Sequence, residues 1–300
     1  MPQFNQSSGG LFVGEQLMAQ APRIYEQQLQ PLNADTILTP SGQDLKGAAQ
    51  FAREVYEHQG QADWVGDASD DLPQVNVGVI RDAYNIDMAG CSYSWTLKEL
   101  QAAEFARRPL DVRRGISARR AIESFRNSLF FLGSAAKQIY GLFSFPFIPR
   151  VQLDLADFRV GADPDDTLEA LYSLEREVVL ATGTAATPTD LLLPTSIYMY
   201  IGSTRASTLN NDTILQVYQR NALYAKNVRN VIELETAGPT GGPVMACIRV
   251  AEDAAEHIVP NPLEVLPPQE RNLRTVFNVI TSVGGFISEF PKNHVIGELS

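Results

Sequence analysis

Ser134-Ala135-Ala136-Lys137 is a tetrapeptide whose residue types and spacing match the Ser-x-x-Lys of acyl-serine enzymes, in which lysine helps to activate a serine nucleophile. The companion Ser-Asp-Asn and Lys-Thr-Gly elements are missing, and so short a match arises often by chance. The three histidines, His58, His257 and His294, stand in unrelated contexts, and the chain has no HExxH, CxxC, P-loop or nucleophile-elbow pattern. Asp163, Asp165 and Asp166 carry cation-ligand chemistry, but they precede a helical segment, where a helix dipole favours negative charge, and this explains them better than a metal does. Gly238 to Gly242 has no following basic residue and reads as a turn, not a phosphate cradle. The two cysteines, Cys91 and Cys247, lie far apart in apolar or small-residue surroundings and are expected to be reduced, buried thiols. No catalytic residue, cofactor or metal site is expected, although an enzyme built on Ser134 and Lys137 stays as a rival reading.

The elements that would position these groups point elsewhere. The 300 residues, 44% of them apolar, are enough for one large domain or two smaller ones with a real core. Lys and Arg number 24 against 35 Asp and Glu, a net charge of −11 that argues against general nucleic-acid binding. Only five of the cations are lysines, so most positive charge is Arg, the residue suited to bidentate contacts at interfaces. The N-terminal stretch lacks a cationic start and an apolar segment, so no secretory signal is expected, and no apolar run approaches the roughly 20 residues of a membrane span.

Residues 1–46 are polar and Gln-rich and read as an arm; Leu11 to Leu32 suits either a helix docked on a partner or a surface extension of its own domain. From Ala48 to Trp95 the pattern alternates around a Gly- and Asp-rich centre, Gly60 to Asp71, which predicts a long hairpin with a mobile tip. Between Glu54 and Tyr93 eight acids, among them Asp63, Asp67, Asp70 and Asp71, face Arg81 alone. Such a run is usually a solvated face, but Trp64 in its midst is better explained if something covers it.

Thr96 and Glu99 form a capping-box pattern for a first helix, which Pro109 ends. Asp111 can start a second, long helix that Gly133 closes. At 100° per residue Ala118, Ala121, Ile122, Phe125, Leu129 and Leu132 share one face of it, and Arg113, Arg119, Arg120 and Arg126 fall on the other. Further on, Asp163 caps a helix running to Gly183, Leu191 to Ile201 reads as a strand, and Asp212 to Arg220 as a short helix. Val231 to Glu235 and Val244 to Val250 read as strands, and Arg274 to Phe290, broken at Gly284-Gly285, as a hairpin or bulged pair.

One succession of short motifs goes beyond pattern: Leu72-Pro73-Gln74-Val75, Tyr93-Ser94-Trp95-Thr96, Glu99-Leu100, Ala118-Arg119-Arg120-Ala121-Ile122, Gly141-Leu142, Leu191-Leu192-Leu193-Pro194 and Thr213-Ile214-Leu215. In order and spacing it resembles the major capsid proteins of tailed bacteriophages over roughly residues 25–298. The resemblance implies an α+β chain of the Hong Kong 97-type fold: residues 1–46 an N-terminal arm, 47–95 an extended hairpin loop, 96–150 a peripheral domain with a spine helix, 151–260 an axial domain, and 261–300 strands returning to the peripheral domain. It implies a virion protein, assembled in the cytoplasm of a bacterial host, whose partner is itself in hexameric and pentameric capsomers. Scaffold, portal and cement proteins and nonspecifically contacted double-stranded DNA would be further partners. Some relatives crosslink through a hairpin lysine, but no lysine lies from Gly47 to Leu97, so noncovalent contacts or a cement protein are expected instead. An encapsulin-like compartment is the rival within the fold. The expected inter-subunit contacts join Asp63, Trp64, Asp67, Asp70 and Asp71 of the hairpin to Arg113, Arg119, Arg120 and Arg126 of a neighbour's helix; the competing placement turns those Arg towards packaged DNA.

Overall fold

The computed structural model describes residues 29–41, 45–62, 64, 74–105, 113–207, 211–239, 241–251 and 254–300. Two units are distinguished, Met1–Pro31 and Leu32–Ser300, and the architecture below is that of the second. Its elements begin with α1 (Ala34–Ile37), β1 (Pro40–Ser41), β2 (Gln50–Gln59), β3 (Asn76–Asn85), β4 (Asp87–Thr96), α2 (Leu97–Phe105) and α3 (Arg113–Leu132). They continue with β5 (Arg150–Leu153), α4 (Pro164–Ala181), β6 (Asp190–Leu193), α5 (Thr195–Ser203), α6 (Ile214–Asn221), β7 (Asn227–Asn230) and β8 (Val244–Ile248). The last are β9 (Glu256–Ile258), β10 (Asn261–Val265), β11 (Gln269–Arg271), β12 (Arg274–Val283), β13 (Gly285–Ile287) and β14 (Val295–Leu299).

Every side chain of β6 and β8 except Asp190 is apolar, and all are buried, because the five-stranded sheet β5-β14-β8-β6-β7 is covered on both faces. Alternate residues go to opposite sides. Leu191, Leu193, Met245, Cys247 and Val295 pack with Leu171, Leu174 and Val178 of α4 and with Ile214 and Tyr218 of α6. Leu192, Val244, Ala246, Ile248 and Ile296 pack with Phe130 and Phe131 of α3 and with Leu142, Phe143 and Phe145 of the loop after it.

A second sheet pairs β12 with β10 and β11 on one edge and with β4 over ten residues on the other. The spine helix α3 lies against it through Ala118 and Ile122, which meet Val279, and Phe277 stacks on its cross-strand partner Tyr93 at 5.1 Å. The predicted hairpin is present as β2 and β3, ten residues each, with Arg53 opposite Asp82 and Glu54 opposite Arg81. Opposite charges facing each other help to hold that register.

Local signals are realised where they stand. The Thr96 backbone N–H donates to Glu99 at 2.9 Å and the Glu99 N–H donates to Thr96 Oγ1 at 3.3 Å, the reciprocal capping box. Asp163 accepts from the N–H of Asp165 at 3.0 Å, a helix cap as expected. Thr213 and Gln216 form a second capping box at α6. Gly133, at φ +70°, closes α3. Pro109 and Asp111 lie outside the described residues.

Five expectations are corrected. Leu191 to Ile201 is not one strand: Pro194 ends β6, and Ile197 and Ile201, four residues apart, are the buried face of α5. Val231 to Glu235 is not a strand but the end of β7's pathway, with a 3-10 turn over Ile232–Glu235. Arg274 to Phe290 forms no hairpin; after Gly284 the chain leaves the β12 sheet and β13 pairs with β9. The final strand β14 sits inside the five-stranded sheet between β5 and β8, so the end of the 261–300 segment joins the layer expected of 151–260. Cys247 is buried as expected, whereas Cys91 is only half-buried, donating weakly to the carbonyl of Ala118 at 3.5 Å.

The crossing at Gly285 is sterically specified. Its φ is +80°, and a Cβ there would stand 2.3 Å from the carbonyl oxygen of Tyr140. Gly285→Ala is expected to cost about 2 kcal/mol or more, read as a drop in urea midpoint. His294 is fully enclosed, its Nδ1 accepting from the N–H of Arg249 at 3.4 Å and its Nε2 lying 3.1 Å from Ser288 Oγ, and burial pushes its pKa down to about 4. Since the unfolded chain takes up the proton first, stability present above about pH 6.5 is expected to fall by about 3 kcal/mol as the pH drops towards 4. His257, also shifted down by burial, acts in the same direction, so His294→Gln should flatten the measured slope of stability against pH without abolishing it.

Candidate assembly surfaces

The hairpin is held at its root. Arg53 bridges Glu256 of β9, at 2.6 Å, and Glu289, and its guanidinium lies 5.1 Å from the Phe51 ring centre. Phe51 and Tyr84 pack beside Ile86, Ile258 and Ile287, so the first pairs of the ribbon are part of the body. Farther out the ribbon carries apolar pairs on both faces: Val55 opposite Ile80 on one, Tyr56 opposite Val79 on the other. Tyr56, Val77, Val79 and Ile80 are all exposed. A two-stranded ribbon is marginal in water by itself, so this geometry calls for a covering surface. Trp64 at the tip is 98% exposed. Asp63, Asp67, Asp70 and Asp71 lie outside the described residues.

On α3 the buried face is turned from the expected one, away from the Phe125 side and towards Arg126. Ala118, Ile122, Arg126, Asn127, Leu129, Phe130 and Phe131 are buried, whereas Ala121, Phe125 and Leu132 are exposed. Arg126, expected on the outer face, is only 6% exposed. The reason is α1, a single turn of helix whose Asp35 accepts an ion pair from Arg126, which also donates to the carbonyl of Pro262 at 3.0 Å. Next to it Asn127 Oδ1 accepts from the N–H groups of Asn33 and Ala34, both at 2.9 Å, and so caps α1 from another element. His257 Nδ1 lies 3.4 Å from Asp35. That ring and then the charge of Arg126 hold the Asp35 carboxyl below its ordinary pKa.

Of the other expected arginines, two face outward. Arg113 and Arg119 are exposed and Arg120 is half-buried, with Arg119 bonded to Glu123 one turn along at 2.8 Å. Sequence reasoning passed over two cations that organise this region, Arg53 and Arg114. Arg114 binds Glu99 at 2.8 Å and stacks 4.1 Å from the Trp95 ring centre, tying the spine helix to the end of β4. Arg114, with Thr96, brings the Glu99 pKa down to about 2. The run of opposite charges Arg53-Glu54 against Arg81-Asp82 was the available signal for the first.

The tetrapeptide that suggested an acyl enzyme is built for something else. Lys137 Nζ is bound to Asp87 at 2.7 Å, and an ammonium held by a carboxylate is no general base. Ser134 and Ile139 exchange backbone hydrogen bonds that close the turn after α3. Among the described residues no group of three or more His, Cys, Asp or Glu could hold a metal ion, and no helix is long and apolar enough to cross a membrane.

A subunit with a projecting ribbon, a spine helix on a long sheet and a separately cored five-stranded sheet has the α+β fold of Hong Kong 97-type capsid proteins. The solved structures agree. The capsid of Myoviridae phage XM1 matches with a TM-score of 0.82 at 14% identity, over 96% of this chain and 98% of that one. The capsid of a native GTA particle matches at 0.66 and 10% identity over 99% and 100%. A virus-like particle from Pyrococcus furiosus matches at 0.60 and 12% identity over 88% and 91%. No curated protein matches by sequence. The family model described as major capsid protein covers residues 60–296, and the chain belongs to that family. It is a structural protein of the virion, not an enzyme.

The contrast between inner and outer cations is measurable. Arg126→Ala strands Asp35 beside a neutral gap and is expected to cost about 2–3 kcal/mol in urea unfolding, less than a fully buried pair because Asp35 is half-exposed. Arg119→Ala is expected to change stability by less than about 0.5 kcal/mol.

Proposed function

We propose that this chain is the shell subunit of an icosahedral tailed-phage head, assembling as hexamers and pentamers around double-stranded DNA, and built in the bacterial cytoplasm. The observation that carries the reading is the exposed apolar ribbon projecting from a well-buried body: a surface of that kind calls for a covering partner, and repeated copies of one subunit supply it. On this reading residues 1–46 are the arm, 47–95 the hairpin loop and 96–150 the peripheral segment with the spine helix. Residues 151–260, completed by β14, make the axial layer. The acidic hairpin around Asp63 to Asp71 lies over a neighbour's spine helix and meets Arg113, Arg119 and Arg120. Arg126 has no part in it, being used inside its own subunit. Exposed ion pairs bring about 0–1 kcal/mol each, so they set register and partner orientation, while apolar burial supplies most of the adhesion. Scaffold, portal and cement proteins would complete the head.

The net charge of −11 suits a container whose wall must release DNA as well as hold it. An encapsulin-like compartment is the second reading within the fold; the match of the major capsid protein family over residues 60–296 favours the phage head.

Electron microscopy of the overexpressed protein is expected to show shells or capsomers; a monomer or a small closed oligomer under every assembly condition overturns the proposal. Arg113→Glu, Arg119→Glu and Arg120→Glu should each lower particle yield at low salt, and less so at high salt. Normal particles from all three would remove the hairpin-to-helix contact from the account.

A further inference from the structure

Between the root of the hairpin and the body runs an open groove of about 930 Å³. Tyr56, Ile80, Tyr140, Phe147 and Phe290 line it, with Lys292, Asp82 and the Arg53-bound Glu289 as its charged groups. The aromatic side chains are not tucked in. Phe147 is 86% exposed, and Phe290, Tyr56 and Tyr140 are exposed as well. Phe147 also has φ +66°, a left-handed backbone that a bulky L residue rarely adopts and that glycine or asparagine would take at less cost. Strain retained at an exposed aromatic marks a position whose side chain serves something other than the folding of its own subunit.

The groove needs an occupant, and the chain carries one of matching chemistry. Trp64 projects from the hairpin tip with its ring in solvent, flanked by a sequence rich in acids. The ribbon of its own subunit carries it away from this groove: the lining reaches out only to Tyr56, three pairs and about 10 Å short of the Gln59–Asn76 pair at the ribbon's end. A second copy faces no such constraint. We propose that Trp64 of one copy docks into the aromatic groove around Phe147 and Phe290 of a second copy, linking subunits head to tail.

This rests on the shell reading above and names the socket of the Trp64 ring, a separate contact from the ion pairs of the hairpin acids with the spine helix. One plug and one socket per chain make a heterologous contact, which closes into rings when the rotation allows. Trp in a groove of aromatic rings is the kind of anchor that dominates interface energetics.

Benzoylphenylalanine placed at position 64 is a photoreactive aromatic probe of what covers the tip. Irradiated particles are expected to give chain dimers whose crosslinked peptides contain Tyr140–Phe147 or Phe290–Lys292. Particles that form and crosslink elsewhere, or only within one chain, overturn the proposal and leave the shell reading intact. Wild-type protein that forms no shell at all sinks that reading and the docking with it. Phe147→Gly separates assembly from folding, since it removes the plug's main contact while relieving the backbone. Its isolated subunit should unfold at the same or a higher urea concentration than wild type, with particle yield reduced at least tenfold; undiminished yield counts against the groove. In unaltered protein, assembly should lower acrylamide quenching of tryptophan, because Trp95 is already buried and Trp64 becomes so. Equal quenching of particles and dissociated subunits overturns the docking.

Discussion

The two-sided burial of the five-stranded sheet is the constraint on which the rest of the molecule depends. Leu191 and Leu193 look towards α4 and α6, and Leu192 between them looks towards Phe130 and Phe131 of the spine helix. One three-residue stretch therefore belongs to both hydrophobic clusters. The foot of the spine helix is set by the sheet, and the upper part of that helix sets the β12 sheet, from which β4 leads into the hairpin. A projecting ribbon is useful in assembly only if its root is fixed, and here the root is fixed by packing at Phe51 and Tyr84 and by Arg53 between two glutamates.

Charge follows a related division. Many arginines bind acids of their own chain: Arg53, Arg114, Arg119, Arg126, Arg150, Arg220 and Arg229 each bind an Asp or Glu within 4 Å. Across the whole sequence the carboxylates still outnumber the cations, a net charge of −11. Arg126 shows why type and position on a helical wheel do not settle a residue's use. Between Ile122 and Phe130 it would be an isolated buried cation, were it not for Asp35, 91 positions earlier in the chain, and the carbonyl of Pro262.

Two kinds of strain appear, with different meanings. Gly133 and Gly285 take left-handed backbones where there is no room for a side chain, so the residue type and the conformation agree. Phe147 takes one where its ring stands in solvent, and residue type and conformation disagree. Agreement between local preference and global fold is the ordinary state of an evolved chain, and departures concentrate where surfaces have other work.

What the sequence determined by itself was whatever is decided within a few residues. The reciprocal cap of Thr96 and Glu99, the Asp163 cap, the short helix expected over Asp212 to Arg220, the glycine stop at Gly133 and the alternation of the hairpin were legible because each rests on neighbours in the chain. The exposed Trp64 was legible too, as a large apolar ring set among acids. The tertiary structure alone decided which arc of the spine helix is inside, that Leu191 to Ile201 is a short strand and then a helix, and that the last strand enters the five-stranded sheet. It alone brought Phe147 and Phe290 to one groove. The physical reason is common to these: apolar burial and ion pairing are set by what lies across the gap. For Arg126 that is Asp35, for β14 it is β5 and β8, and no local pattern names a partner a hundred residues away.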